Sequence, residues 1–137
     1  MNVPLVLKLS LLGLVVGIGS VTGIIRSGSE GVAWLVIAFV CAIIIGRAAV
    51  TRRFLTGFVT GFLACVLCVL LQVAFFDRYL HFNPDAVNSF KNLPADVPPR
   101  VFIVLIMPIV ALFNGCVVGF LSWVAARVLS RKTAATT

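Results

Sequence analysis

The sequence predicts an all-α protein embedded in a membrane. The expected form is a four-helix bundle of two helical hairpins, with a short amphipathic helix in its outer loop. Three observations predict this. First, of 137 residues 61% are hydrophobic and 11% are charged, where soluble domains carry about 25% charged residues. Lipid must therefore solvate the surface. Second, the apolar residues fall into four stretches, at about 5–25, 32–50, 54–76 and 101–126. Each is near the roughly 20 residues that cross about 30 Å of hydrocarbon as a helix. Third, the polar segments between the stretches alternate in charge. One set holds Lys8, Arg47, Arg52, Arg53, Arg127, Arg131 and Lys132 with no acid, and the other holds Arg26, Arg78, Lys91 and Arg100 together with Glu30, Asp77, Asp85 and Asp96. Lys and Arg concentrate in cytoplasmic loops, so both termini are expected in the cytoplasm of a bacterial inner membrane. Residues 1–132 form one domain in this reading, and 133–137 a small polar tail that frays.

The first span begins after Pro4, and Lys8 can snorkel to the cytoplasmic headgroups. A cleaved signal peptide is the competing reading, but Gly19-Ser20-Val21-Thr22-Gly23 is a poor cleavage site. Arg26-Ser-Gly-Ser-Glu-Gly31 reads as a tight turn, with Trp34 at the outer edge of the second span. Arg47, Arg52 and Arg53 follow as a cytoplasmic clamp and, with Arg127, Arg131 and Lys132, form a rim for lipid headgroups, anionic ones included. The third span has no charge. In the outer loop, Asn83 is suited to cap a helix, Pro84 to its first position and Asp85 to its positive end. Ala86, Val87, Phe90 and Leu93 then share a face, and Pro94 stops the helix. Such a helix is a lid or docking surface, or a connector resting its apolar face in the headgroups.

Small residues four apart mark the packing faces: Gly13 with Gly17, Ala42 with Gly46, Gly57 with Gly61, and Gly115 with Gly119. Helices in lipid associate by close approach, which small residues allow. The faces serve packing within the bundle or dimerisation. The close-packed set maps to the cytoplasmic half, so the bundle is expected to be tight inside and looser outside.

Candidate chemistry is sparse. Asn114 lies near the middle of the fourth span, two turns after Pro108, which removes a backbone donor. Gln72 lies one turn below the outer end of the third span. Asn114, Gln72 and Pro108 are the candidate intramembrane polar site; the commoner use of such an amide is a hydrogen bond to a neighbouring helix. Asn114 and Gln72 are too far apart in depth to pair. Cys65-x-x-Cys68 sits mid-span without a nearby base and reads as filler. No acid is assigned to a span, so the membrane-embedded glutamate on which small multidrug exporters depend has no counterpart. Fluoride channels of four spans have a glycine-rich first helix to which Gly19–Gly23–Arg26 is faintly similar. The arginine is off by one, and their Thr-Phe-Ser segment is missing.

Thr56-Gly57-x-x-x-Gly61, the long third span, the aromatic turn and Asn83-Pro84-Asp85 ahead of a last span resemble a group of small bacterial four-span membrane proteins of unknown function. The likeness covers about Arg53 to Lys132 and implies fold and membrane location, with no functional residues. The function expected is therefore non-enzymatic: a structural or accessory protein acting through helix packing and partner binding. The rival is a small channel or carrier for a small or apolar solute through the outer half of the bundle. The expected partners are the lipid bilayer and another membrane protein or a second copy. No catalytic residue, metal site or cofactor is expected, because no nucleophile–base pair or metal cluster is visible, and no nucleic acid, because the basic residues mark span ends rather than a stripe with interleaved aromatics.

Overall fold

A computed structural model describes residues 2–48, 51–91, 93–94 and 96–134, the side chains of 27 and 130–134 excepted. All regular structure among the described residues is helix: α1 (Val3–Ser10), α2 (Leu12–Thr22), α3 (Ser27–Arg47), α4 (Arg53–Ala74), α5 (Phe76–Phe82), α6 (Pro84–Phe90) and α7 (Pro99–Ala134). Four helical stretches, Val3–Thr22, Gly28–Arg47, Arg53–Ala74 and Pro99–Leu129, are long and apolar enough to span a membrane. The chain is in this sense a multi-pass membrane protein.

Local chemistry sets the ends. Asn2 Oδ1 accepts from the Leu5 N–H at 3.2 Å and starts α1. The helix is interrupted at Leu11, beside Ser10, whose hydroxyl bonds back to the Val6 carbonyl at 2.8 Å; such back-bonding bends helices. Gly23, at φ 77°, ends α2 in the left-handed conformation that a Cβ disfavours. The Ile25 N–H then reaches the Gly19 carbonyl at 3.0 Å and closes the turn. Pro108 lies within α7. At about 1.5 Å per residue that helix is on the order of 54 Å long, well beyond a hydrocarbon core of about 30 Å.

The start of α3 corrects the sequence reading. Residues 27–31 were expected in a turn and instead form the first turn and more of the helix. The Ser29 hydroxyl accepts from the Arg26 N–H at 3.0 Å, satisfying a donor at the helix start. The turn is thereby confined to the few residues after Thr22. At the other end α3 stops at Arg47, and 49–50 lie outside the described residues. Thr133 and Ala134, expected in the tail, belong to α7, and 135–137 are outside the described residues.

Helices α4 and α7 form the central pair; α3 packs on α7, and α1 and α2 pack on α4. The first two spans touch each other less than each touches this pair. Small residues make the close contacts possible. A Cβ on Gly57 would stand 2.8 Å from the Val118 carbonyl oxygen and 2.9 Å from Gly119 Cα, and one on Gly61 2.9 Å from the Asn114 carbonyl oxygen. Gly115 and Gly119 meet the Phe58 and Phe54 carbonyls in return, and Gly13 lies directly on the Ala64 backbone. Gly46 meets Ala125 and Ala126, beside buried Ala42. Gly17 faces Cys68 and Leu71. A small core of Leu9, Ala38, Cys41, Ile45 and Val118 joins α1, α3 and α7. Large apolar side chains such as Leu105, Ile109 and Phe113 remain exposed, as lipid-facing residues should.

Candidate functional site at the outer end of the bundle

The extra turn of α3 carries Glu30 into the bundle. This is the second correction to the sequence reading, which placed no acid within a span. Glu30 is half-buried, and its Oε1 accepts a hydrogen bond from Gln72 Nε2 at 2.8 Å. Gln72 is buried in the last turn of α4. The Ser20 hydroxyl, fully buried on α2, lies beside the same carboxyl group but falls short of hydrogen-bond geometry and has no other partner. Three spans thus converge on one polar point, with Glu30 near the positive N-terminal end of its helix.

The segment of α5 and α6 closes over this point. Asn83 is fully buried, and its Nδ2 donates to the Ser20 carbonyl at 3.2 Å and the Tyr79 carbonyl at 2.9 Å. It does occupy the position ahead of α6, but its side chain makes no capping bond there and ties the loop to α2 instead. Pro84 follows at the start of α6 as expected. Phe90 packs against Phe76 and Phe102 and fixes α6 to α5 and α7. Burial pushes the Tyr79 phenol up to about 12, and the neighbouring Glu30 carboxylate acts in the same direction.

A cavity of about 320 Å³ opens here, lined by Glu30, Tyr79, Asp85, Ala86, Ser89 and Phe90. A second, of about 380 Å³, adjoins Asp85 from the other side, with Arg26 and His81 in its wall. The described ion pair nearby, Arg100 to Asp77 at 3.8 Å, has exposed partners, and such pairs contribute little.

The other residues singled out from the sequence lie apart from this cluster. Asn114 Nδ2 donates to the Gly61 carbonyl at 2.8 Å, inside the α4–α7 contact. Pro108 faces outward on α7. Gln72 and Asn114 therefore have different partners. Ser10, Thr56, Thr60 and Ser122 each bond a carbonyl one turn back on their own helix. Cys41, Cys65 and Cys68 are buried and Cys116 is exposed, all with free thiols. On the basic rim, Arg47 and Arg52 are exposed, Arg127 stacks on Trp123 at 3.8 Å from the ring centre, and Arg53 is half-buried with Nε lacking a partner. The side chains of Arg131 and Lys132 are outside the described residues. Among the described residues no group of three His, Cys, Asp or Glu side chains could hold a metal ion.

Glu30, Ser20 and Tyr79 were missed as site residues. A signal for Glu30 existed: Ser27-x-x-Glu30 ahead of an apolar run is the pattern of a helix start. Reading it would have placed Glu30 one turn inside the span. No family model, curated protein or solved structure matches the chain.

Proposed function

We propose that this is a non-enzymatic accessory protein of a bacterial inner membrane that acts by binding at its outer end. Both termini lie in the cytoplasm, the third and fourth spans form a central hairpin on which the first two pack separately, and the Arg47–Arg52–Arg53 and Arg127 rim rests among anionic headgroups. The amphipathic face of α6 sits at the outer headgroup level, over the site. One observation carries the reading. The polar side chains of the inner half are engaged by the chain's own backbone, Asn114 by Gly61 and Ser10, Thr56, Thr60 and Ser122 by their own helices. Glu30, bonded to Gln72 on one side, instead borders an open cavity. Small-residue faces filled from within the chain leave the outer end as the place for a partner.

The channel or carrier reading is favoured by the same Glu30–Gln72 pair, which puts a charged group in the outer half. Accessibility separates the two. In a cysteine-free background, a single cysteine at position 30, which lines the cavity, should react with a membrane-impermeant thiol reagent added outside. One at position 60 or 114 should react from neither side. Reaction at 60 or 114 from either side would establish a water path and favour the carrier.

A further inference from the structure

We propose that the cavity beside Glu30 is a binding site for an organic ammonium group, carried by a free amine or by a lipid headgroup. The inference rests on the outer-end binding reading and names its ligand class. Two carboxylates, Glu30 and Asp85, and two aromatic rings, Tyr79 and Phe90, line about 320 Å³ with no basic side chain among them. Glu30 has an amide as its hydrogen-bond partner rather than a cation. A half-buried carboxylate without a counter-charge leaves a favourable place for one. Beside it, the Ser20 hydroxyl is fully buried with no partner. It stands behind Glu30 as a polar wall and does not itself line the cavity.

The shape of the site selects the cation. A bare divalent metal takes six or more oxygen ligands or a compact set of His, Cys and carboxylate side chains, and the described residues hold no such cluster. Two carboxylates set among aromatic rings instead match an alkylammonium, which is held by charge and by the faces of Tyr and Phe. Depth agrees: Gln72 stands in the last turn of α4 and Glu30 in the first turns of α3, the level of lipid headgroups. Asp85 contributes less than Glu30, because Arg26 and His81 border it from the adjoining cavity.

The test uses the full chain in nanodiscs of phosphatidylglycerol, which has no ammonium group, with benzylammonium as the probe and benzyl alcohol as its neutral analogue. Saturable binding of benzylammonium is expected, with benzyl alcohol failing to compete. Glu30→Gln should weaken binding about tenfold or more and Phe90→Ala roughly threefold. Asp85→Asn, at an exposed position where the fold is not at stake, should weaken it measurably. If phosphatidylethanolamine added to the discs displaces the probe, the headgroup is the source of the ammonium; if it does not, a free amine is. Unchanged binding in both Glu30→Gln and Asp85→Asn, equal competition by benzyl alcohol, or no saturable binding would overturn the assignment. Outside-only labelling at position 30 would then still hold for an outer-end site, with a different ligand; loss of that labelling pattern would remove the reading beneath it.

Discussion

Replacing Gly57 by alanine tests the contact that organises the bundle. The added Cβ would stand 2.8 Å from the Val118 carbonyl oxygen and 2.9 Å from Gly119 Cα, where ordinary contact begins at 3.4 Å. Ser122 Oγ, at 2.5 Å, can rotate away, but the α7 backbone cannot. Helix α7 must therefore retreat by about 0.6 Å along its tightest stretch. Overpacking of this kind costs about 1–3 kcal/mol. Alanine also favours a helix over glycine by about 1 kcal/mol, which would mask part of the loss. Gly31→Ala removes that ambiguity, since Gly31 lies in α3 and a Cβ there meets nothing within 4 Å. The difference between the two variants isolates the clash. At roughly 4 °C per kcal/mol for a chain of this size, the midpoints should separate by about 4–12 °C, Gly57→Ala the lower. The assay is thermal unfolding in detergent with a thiol-reactive dye, which reads exposure of buried Cys41, Cys65 and Cys68. Exposed Cys116 is first replaced by alanine in all variants. Equal midpoints for Gly57→Ala and Gly31→Ala would refute the packing described here.

Other outcomes follow from single contacts. Asn114→Leu removes the bond to the Gly61 carbonyl and should lower stability by about 0.6–2 kcal/mol in the same assay. Asn83→Ala leaves the Ser20 and Tyr79 carbonyls without their donor; it should cost about 1–3 kcal/mol and speed proteolysis of the outer loop. Gly23→Ala places a Cβ at φ 77° and within 2.5 Å of the Phe82 ring, and a loss of at least about 1 kcal/mol is expected. Tyr79 is the single tyrosine, so tyrosinate absorbance reports it alone. Its phenol should ionise near pH 12 rather than the ordinary 10. Between those values the unfolded chain has lost the proton and the folded chain has kept it, so stability should fall as pH rises from 10 to 12.

The spans were legible because membrane crossing is a property of composition and length, both visible without any contact. The third span was expected at 54–76 and α4 runs Arg53–Ala74. The packing residues were legible as small residues four apart, although the partner of each was not. Periodicity shows that Gly57 and Gly61 share a face; it does not show that α7 fills it. The outer site was harder. Gly28 and Gly31 weighted the 26–31 segment toward a turn, while one side chain, Ser29, satisfied the Arg26 donor and let the helix start early. That shift of five residues moves Glu30 from a loop into a span. Its meeting with Gln72 depends on the rotation of α3 against α4, which no local pattern encodes. Asn83 shows the same limit: its cap position was readable, and the bond to Ser20 across 63 residues was not.

The two halves of the bundle are held by different forces, and this difference bears on how the Glu30 end can work. In the half that holds Gly57, Gly61 and Gly119, glycine faces bring backbones into contact, and dispersion between packed atoms is lost steeply with small separations. That half has no soft mode short of pulling helices apart. At the Glu30 end the holding contacts are two directional bonds between elements, Glu30 to Gln72 and Asn83 to Ser20, and the aromatic packing of Phe90 on Phe76 and Phe102. Each of the two bonds contributes only about 1 kcal/mol net when exchanged with water. Lifting α6 would break the Asn83 bond to Ser20 and the Phe90 contacts to Phe76 and Phe102, and would leave the α4–α7 contact untouched. Ser20 couples the two events, since its carbonyl accepts from Asn83 and its hydroxyl lies beside Glu30. A ligand that engages Glu30 acts on the same turn of α2 that anchors the loop, so occupancy of the cavity and closure of the loop should rise together.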